Sequence, residues 1–547
     1  MNKKVLSVVA AALVWLLAGE ASALVALLDE ALNVTVPCIE VSAPQETQDG
    51  PQFEAILEFV SGQPGPSDLT WVLQAFEQAA AADMRDAPTV AQSGDLTIPY
   101  IDVGGQGWEV ILGLAEDNAS VPPGGSWRLN QVFQVAQSNE PRDAAGGAAT
   151  GAAATLAAGI NGFALDLYNE LRRYQAFREG EENFLYSPFS VSQVLAMVYA
   201  GARTATEQQM ADVLRYGLSQ EELHPAFNAL DMELAGRGAG QAGTSPVSGL
   251  PFFTNGFRLT VVNGVWAVQD NPLLALFRQS FRPEFLDVLA ESYGDGIRFL
   301  DFYLGTETAR TEINRWMNFK TKNKIAGFIP SGGLSQDTRL LLTNAVYFNA
   351  SWEFPFDRVE TDYADFHALD GTSSLVDMMS QQNEFGYTEG EGFQAVELPY
   401  AGGELSMLLL LPASGGFRTF EDSLDADFLV TVVSGLAVRP VKLKMPRWTD
   451  ASGFDLAEVL KLMGMTDLFS ASADLSGMDN SRNLAVSDIV HRAYIAVDES
   501  GTEAAAGAAT SVQALDVAEM TVDRPFVYVI RDVPTGVILF AGRVVDL

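Results

Sequence analysis

The sequence predicts an α+β protein: large antiparallel or mixed sheets, with helices gathered near the N-terminal side of the main domain and a small separate α+β domain in front. Three observations predict it. Strand-like apolar runs crowd the C-terminal half, amphipathic helical segments crowd the middle, and an Ala/Gly-rich stretch at 140–157 divides both from an acidic leading segment. Strands and helices do not alternate regularly, which argues against a doubly wound fold. At 547 residues the chain exceeds what one hydrophobic core usually serves, so two domains are expected.

The chain opens MNKKVLSVVAAALVWLLAGEASALVALL. A basic end (Lys3, Lys4), an apolar run from Val5 to Ala18 and small residues at Ala21 and Ala23 read as a secretory signal peptide over 1–23. An uncleaved membrane anchor is the alternative. Residues 24–139 form the small acidic domain, to which sequence assigns no function. Over 24–155 there are 18 acidic and 3 basic residues. FEAILEFV and DLTWVLQAFEQAAAADM carry apolar residues at helical spacing, DLTIPYIDV and WEVILGL read as strands, and RLNQVFQVA fits either. Asn33 and Asn118 begin Asn-x-Ser/Thr sequons. Residues 140–157 read as a linker whose alanines could extend into the next helix. The main domain spans 158–547.

In that domain INGFALDLYNELRRYQ is an amphipathic helix. SPFSVSQVLAMVYAGA follows, with Pro188 at a helix start and Ser190 or Ser192 as the cap. ATEQQMADVLRYG and the start of TARTEINRWMNFKTKNKIAGFI are helical, and residues 236–256 are an irregular insertion. RLTVVNGVWAV and TRLLLTNAVYFNASWEFPF contain strands. Further strands are expected at LVDMMSQQNEFGYTE, FQAVELPY, LSMLLLLP, AVRPVKLKMPRW, IVHRAYIAVD, RPFVYVIRD and GVILFAGRVV, with DLAEVLKLMGMTDLF a helix among them.

Charge and composition exclude several functions. Asp and Glu outnumber Lys and Arg by 70 to 33, for a net charge of −37. Nucleic acid is not an expected partner, because phosphate binding needs basic residues to release counterions. The Arg172, Arg173 and Arg178 patch is too small to predict glycosaminoglycan binding. Cys38 is the only cysteine, so no intramolecular disulfide forms. His224, His367 and His491 are far apart, with no ligand cluster for a metal. No cofactor is expected. No G-x-S-x-G elbow is present, and joining Ser187, His491 and Asp498 into a triad has no support beyond the residue types. An enzyme is not expected.

One segment stands out. ESGTEAAAGAATSVQAL, 499–515, is bland and lies between two strong strands. Its alternate residues Thr502, Ala504, Ala506, Ala508, Thr510 and Val512 are small or β-branched and uncharged. That parity suits one face of a buried strand. Its Ala and Gly nonetheless give it poor strand propensity. On pattern alone it is either a strand in waiting or a flexible connector.

Here the chain resembles the serpins, the serine protease inhibitor superfamily, over about residues 155–547. The resemblance rests on NFLYSPFSVSQVLAMVYAGARTATEQQMADVL, TEINRWMNFKTKNKIAGFIP, TRLLLTNAVYFNASWEFPF, HRAYIAVDESGTEAAAGAAT and DRPFVYVIRDVPTGVILFAGRVVDL. It implies the serpin fold, with a large central sheet A, further sheets, surrounding helices and a mobile reactive-centre loop. It also implies a suicide-substrate inhibitor of serine endopeptidases, with a cysteine protease as a cross-class alternative, and the signal-like residues 1–23 make it an expected secreted or periplasmic one. In that family a protease attacks the loop and becomes acylated, and the cleaved loop inserts into sheet A and traps it. A serpin-fold protein that binds without inhibiting is the alternative.

The resemblance assigns residues. Glu499, Gly501, Thr502, Glu503, Ala504, Ala505, Ala506, Gly507 and Ala508 match the hinge. Many inhibitory members carry Thr or Ser where Ala508 stands. In the family's register Leu515 is the bait and Asp516 follows the scissile bond, with Gln513, Ala514 and Met520 as neighbours if the register slips. Leu515 points to chymotrypsin-, subtilisin- or elastase-like targets, since a pocket built for Arg would leave its own charge unpaired. Ser187, Ser190, Asn344 and His491 match the shutter, where sheet A opens, and Trp352 matches the breach at its upper end.

Overall fold

The computed structural model describes residues 151–547 apart from 179–180, 238–241, 245–250, 254–257, 269–280, 322–323, 326, 480–482 and 503–516, and before 151 it describes strands. Residues 1–23, both sequons and all but the end of the 140–157 stretch lie outside the described residues. So do Glu503, Ala504, Ala505, Ala506, Gly507, Ala508, Leu515 and Asp516.

The leading strands are β1 (Leu27–Leu28), β2 (Val34–Val41), β3 (Gln52–Phe59), β4 (Thr70–Gln78), β5 (Thr89–Val90), β6 (Leu96–Asp102), β7 (Gly107–Leu114) and β8 (Ser126–Ala136). Two expectations fail here: FEAILEFV and TWVLQAFEQ are strands, not helices. In β4 the extra residue Gln74, skipped between the partners of Ile56 and Leu57, breaks the alternation, whereas β3 keeps a period-two set in Phe53, Ala55, Leu57 and Phe59 that Ile56 obscures. Pairing runs from β2 through β3, β4, β8, β7, β6 and β5 and back to β2, closing a barrel.

Helix α1 (Ala152–Arg178) begins inside the Ala-rich stretch, where alanine's helix propensity prevails. Then come β9 (Phe184–Tyr186) and the buried α2 (Pro188–Tyr199), capped by Ser187 and not by Ser190 or Ser192. The serine Oγ accepts from the Ser190 N–H, and Pro188 fills the first helical position. Helices α3 (Thr204–Leu214) and α4 (Gln220–Gly236) follow, then the hairpin β10 (Ala242–Thr244) and β11 (Pro251–Phe253). The next elements are β12 (Arg258–Val268), α5 (Pro283–Tyr293), β13 (Ile297–Leu300), α6 (Thr306–Lys320) and β14 (Leu340–Ser351).

The expected C-terminal strands are all present, and β15 (Asp362–His367) is an addition that the sequence reading did not expect; β16 (Ser373–Gly390), β17 (Phe393–Pro399) and β18 (Leu405–Pro412) precede α7 (Phe417–Asp422) and α8 (Ala426–Gly435). They are followed by β19 (Ala437–Pro446), β20 (Trp448–Asp455), α9 (Leu456–Leu462), α10 (Ser476–Asp479), β21 (Val486–Asp498), β22 (Gly501–Thr502), β23 (Ala518–Thr521), β24 (Phe526–Asp532) and β25 (Ile538–Val544).

Two sheets organise the main domain. Sheet A runs β20-β21-β22-β14-β12-β13 and continues through β8 into the barrel. Sheet B runs β23-β19-β16-β17-β18-β24-β25-β9. Strand β14 shows why its sequence is apolar on both parities. Leu340, Leu342, Val346, Phe348 and Ala350 face the main core, while Leu341 and Ala345 join Trp316 and Ile313 of α6 on the other side. A strand covered on both faces reads as a continuous apolar run.

Candidate functional site

The site begins where β22 enters sheet A. Over most of their length β14 and β21 pair directly and in parallel, ending at Tyr347 opposite Tyr494. Beyond that point they part, and β22 lies between them, antiparallel to both. Thr502 faces Ala350 on one side and Val497 on the other, and Gly501 faces Ser351 and Asp498. The next described strand, β23, pairs with β19 of sheet B. The chain thus leaves one sheet at Thr502 and joins the other at Ala518.

Gly501 is required at this fork. Its φ is +145°, and a Cβ there would lie 2.2 Å from the Ala350 carbonyl oxygen. Glu499 anchors the strand just before it. Its side chain is 1% exposed and accepts from the Arg447 guanidinium and from Thr361 Oγ1 at 2.7 Å. Burial pushes the Glu499 carboxyl up, but the hydrogen bonds from Arg447 and Thr361 outweigh it and hold the group below its ordinary value. The Trp352 indole stacks on Tyr400 with ring centroids 4.6 Å apart and donates from Nε1 to the Asp498 carbonyl at 3.0 Å. The Trp352 and Phe356 N–H groups donate to the carbonyls of Ser500 and Glu499.

Below the fork, polar side chains cross the same seam. Asn344 of β14 stands directly opposite His491 of β21, and Asn263 of β12 stands opposite Asn344. The Ser187 N–H donates to His491 Nε2 at 3.2 Å, so Nε2 is the bare nitrogen and Nδ1 carries the proton. Nδ1 then donates to Asn344 Oδ1, which also accepts from Ser190 Oγ at 2.8 Å. Asn344 Nδ2 donates to Asn263 Oδ1 and to the Ser190 carbonyl, and Asn263 passes the chain on to Gln193 at 2.8 Å. Ser187, Ser190, Asn344 and His491 are all buried. Burial, then the neighbouring Arg492 charge, lowers the His491 pKa to about 3, so the imidazole stays neutral.

The structure therefore brings Ser187, Ser190, Asn344 and His491 into one network and places Glu499, Gly501 and Trp352 together at its upper end. Sequence reading missed Asn263 and Gln193, which complete the network, and Arg447 and Thr361, which hold Glu499. Asn263 left a signal: it is an amide inside the otherwise apolar run TVVNGVWAV. Among the described residues no group of His, Cys, Asp or Glu could hold a metal ion, and no helix is long and apolar enough to cross a membrane.

The comparisons agree with this geometry. The family model for serpins, serine protease inhibitors, matches residues 158–547. Similar proteins include an uncharacterised serpin-like protein of Thermococcus kodakarensis, 36% identical over 71% of this chain and 84% of that one. Leukocyte elastase inhibitor A of Mus musculus is 35% identical over 70% of this chain and 97% of the relative. Among solved structures, uncleaved ovalbumin matches with a TM-score of 0.62 at 26% identity, over 72% of this chain and 100% of that one. Serpin48 of the insect Tenebrio molitor matches with a TM-score of 0.61 at 28% identity, over 72% and 98%. With a family model spanning most of its length and a fork of this kind in its central sheet, the chain belongs to the serpins, a family of protease inhibitors.

Proposed function

We propose that the protein is an exported suicide-substrate inhibitor of serine endopeptidases that traps its target by threading the cleaved loop into sheet A. The observation that carries this reading is β22, whose two residues already pair with both β14 and β21. Carrying that register down the seam brings Val512 opposite Leu340, the first residue of β14, so the two strands offer a slot that accepts the loop to just short of Leu515. The same register puts Ala504 and Ala506 on the parity of Phe348 and Val346, which face the main core. Small, uncharged residues are what that face can bury without an unpaired polar group.

In the proposed reaction the protease serine attacks the Leu515 carbonyl. The bond to the Asp516 nitrogen breaks, the new amine leaves on the Asp516 side, and an ester joins Leu515 to the protease. Loop insertion then draws the ester away before water can hydrolyse it. Ser187, Ser190, Asn344 and His491 act as the shutter on the seam, and Glu499, Gly501 and Trp352 act at the breach. Leu515 and the likeness to leukocyte elastase inhibitors favour chymotrypsin-, subtilisin- or elastase-like targets. The signal-like residues 1–23 support export to the periplasm or beyond.

Incubation with chymotrypsin or subtilisin tests this. An inhibitor gives an adduct that survives denaturing electrophoresis, loss of protease activity, and a released peptide beginning at Asp516. Cleavage in the loop with no adduct would instead mark a serpin-fold protein that binds without inhibiting. Thr502→Arg should abolish the adduct and leave a cleaved substrate, because a charge would have to enter the closing sheet.

A further inference from the structure

Strand β8 belongs to two structures at once. Ser126–Arg128 pair with β4 and close the barrel, while Gln134, Val135 and Ala136 pair with Phe299, Arg298 and Ile297 of β13 at the edge of sheet A. The barrel is therefore joined to the central sheet by a strand ladder. Helix α6 lies across the join. Val135 of β8 packs in one apolar cluster with Trp266 of β12, Ala345 of β14, Val490 of β21 and Trp316 of α6. The Arg298 guanidinium lies 4.5 Å from the Trp316 ring. Gln131 of β8 is 2% exposed and donates from Nε2 to the carbonyl of Glu312 at 3.2 Å and to its carboxylate at 3.1 Å. Helix α6 thus shares one apolar cluster with both banks of the β14–β21 seam and is also hydrogen-bonded to the barrel.

We propose that the N-terminal barrel is a brake on the opening of sheet A, acting through β8 and the Gln131–Glu312 tie. The proposal rests on the insertion reading above. Admitting a strand between β14 and β21 must part the banks by about one strand spacing, ~4.8 Å. The bank that carries β14, β12 and β13 also carries β8 and the barrel. While Gln131 holds Glu312, α6 cannot shift independently of that block, so the whole block must move. Loosening the tie lets α6 slide and lowers the barrier to insertion.

The test uses the full-length, uncleaved protein and a synthetic peptide of the sequence EAAAGAATSV, residues 503–512, which can occupy the slot below β22 in place of the loop. Peptide uptake is followed as loss of inhibitory activity and as a rise in melting temperature. Gln131→Glu sets a second carboxylate against Glu312 and should speed uptake by about 3- to 10-fold, the rate equivalent of a lost hydrogen bond. Gln131→Lys replaces the amide contact with an ion pair and should slow uptake by a similar factor. The opposed signs separate a brake from a general loss of stability, which would move both variants the same way. Equal uptake rates in all three proteins, or a shift of the same sign in both variants, would overturn the brake while leaving insertion standing. If the unaltered protein takes up no peptide and loop cleavage does not raise its melting temperature, the insertion reading fails and the brake fails with it.

Discussion

Sheets A and B bury polar groups in different ways. At the centre of sheet A the buried polar side chains are neutral: Asn344 and His491 on adjacent strands, with Ser187 and Ser190 against them and the half-buried Asn263 beside Asn344. Against sheet B the largest buried polar groups carry charge, beside the neutral Ser406. Arg543 of β25, 0% exposed, donates to Glu421 at 3.1 Å, and Tyr168 donates to the same carboxylate at 2.7 Å. Strand β18 beside β24 is buried along its whole length. A neutral hydrogen bond is worth little net and can be exchanged for another, whereas a buried charge left without its partner is costly. The difference fits the proposed mechanism, in which sheet A opens and sheet B does not. The seam of sheet A is held by exchangeable bonds, and sheet B is held by contacts that no step of the proposed mechanism breaks.

The largest expected effect follows from sheet B. Arg543→Met should destabilise the protein by about 3–5 kcal/mol, because Glu421 stays buried without its main cation. The loss should be the same in intact and loop-cleaved protein when both are unfolded in guanidinium chloride. A much smaller loss in the cleaved form would break the comparison, since it would mean that sheet B also rearranges. Asn344→Ala comes next. It leaves the His491 Nδ1–H and the Ser190 hydroxyl without their shared acceptor, at about 2–3 kcal/mol in the intact protein. In the cleaved protein a strand would already separate Asn344 from His491, so the same substitution should cost much less there. Equal costs in both forms would mean that the seam does not open.

Acid probes the same network. His491 has a native pKa of about 3, lowered mainly by burial, against 6.5 when exposed. Between those values the unfolded chain binds a proton that the native state does not, so native stability falls as pH falls below 6.5. The slope is about 1.4 kcal/mol per pH unit for this one group. His224, also lowered to about 3 by burial, adds a second contribution of the same sign. Denaturant melts between pH 6 and pH 4 should show a slope that is shallower by about 1.4 kcal/mol per unit in His491→Gln. An unchanged slope would show that His491 is protonated in the native protein and that Nε2 is not the acceptor assigned to it.

How much of this was legible in sequence depended on whether a local pattern survived packing. Strand β14 was legible because both its faces are covered and most of its residues are apolar. At the hinge the alternation left a strand in waiting and a flexible connector equally open; resemblance to the serpins chose between them, and of the hinge only Glu499, Gly501 and Thr502 fall among the described residues. Of the leading strands, DLTIPYIDV and WEVILGL were read correctly, while TWVLQAFEQ was misread because the bulge at Gln74 shifts its apolar parity, and FEAILEFV because Ile56 adds an apolar residue to its polar face. Helices α4, α5, α7, α8 and α10 were passed over. For α4 a signal was present, since Ser219 and Glu222 stand at capping-box spacing, but Pro225 inside the helix disguised it. Resemblance supplied the members of the polar network that match the serpins. The partners Arg447 and Thr361 came only from the fold, because no local pattern links residues 361 and 447 to Glu499.

The smallest effect tests the seam at one residue. The register of β22 carries Ala508 to the level where Asn344 and His491 face each other. Insertion there would break the bond between them and set a methyl group in its place. His491 Nδ1–H and Asn344 Oδ1 would then each lack a partner from the new strand. Ala508→Thr supplies a hydroxyl that can donate to Asn344 and accept from His491. The cleaved protein should gain about 1 kcal/mol, the net worth of one such bond. The intact protein should not change, since its network is already complete without the loop. The measurement is the difference in unfolding free energy between variant and parent, taken separately for the two forms. A gain in the intact protein instead would place residue 508 in the sheet before cleavage, and the contrast between an openable sheet A and a closed sheet B would have to be redrawn around a loop that is already in.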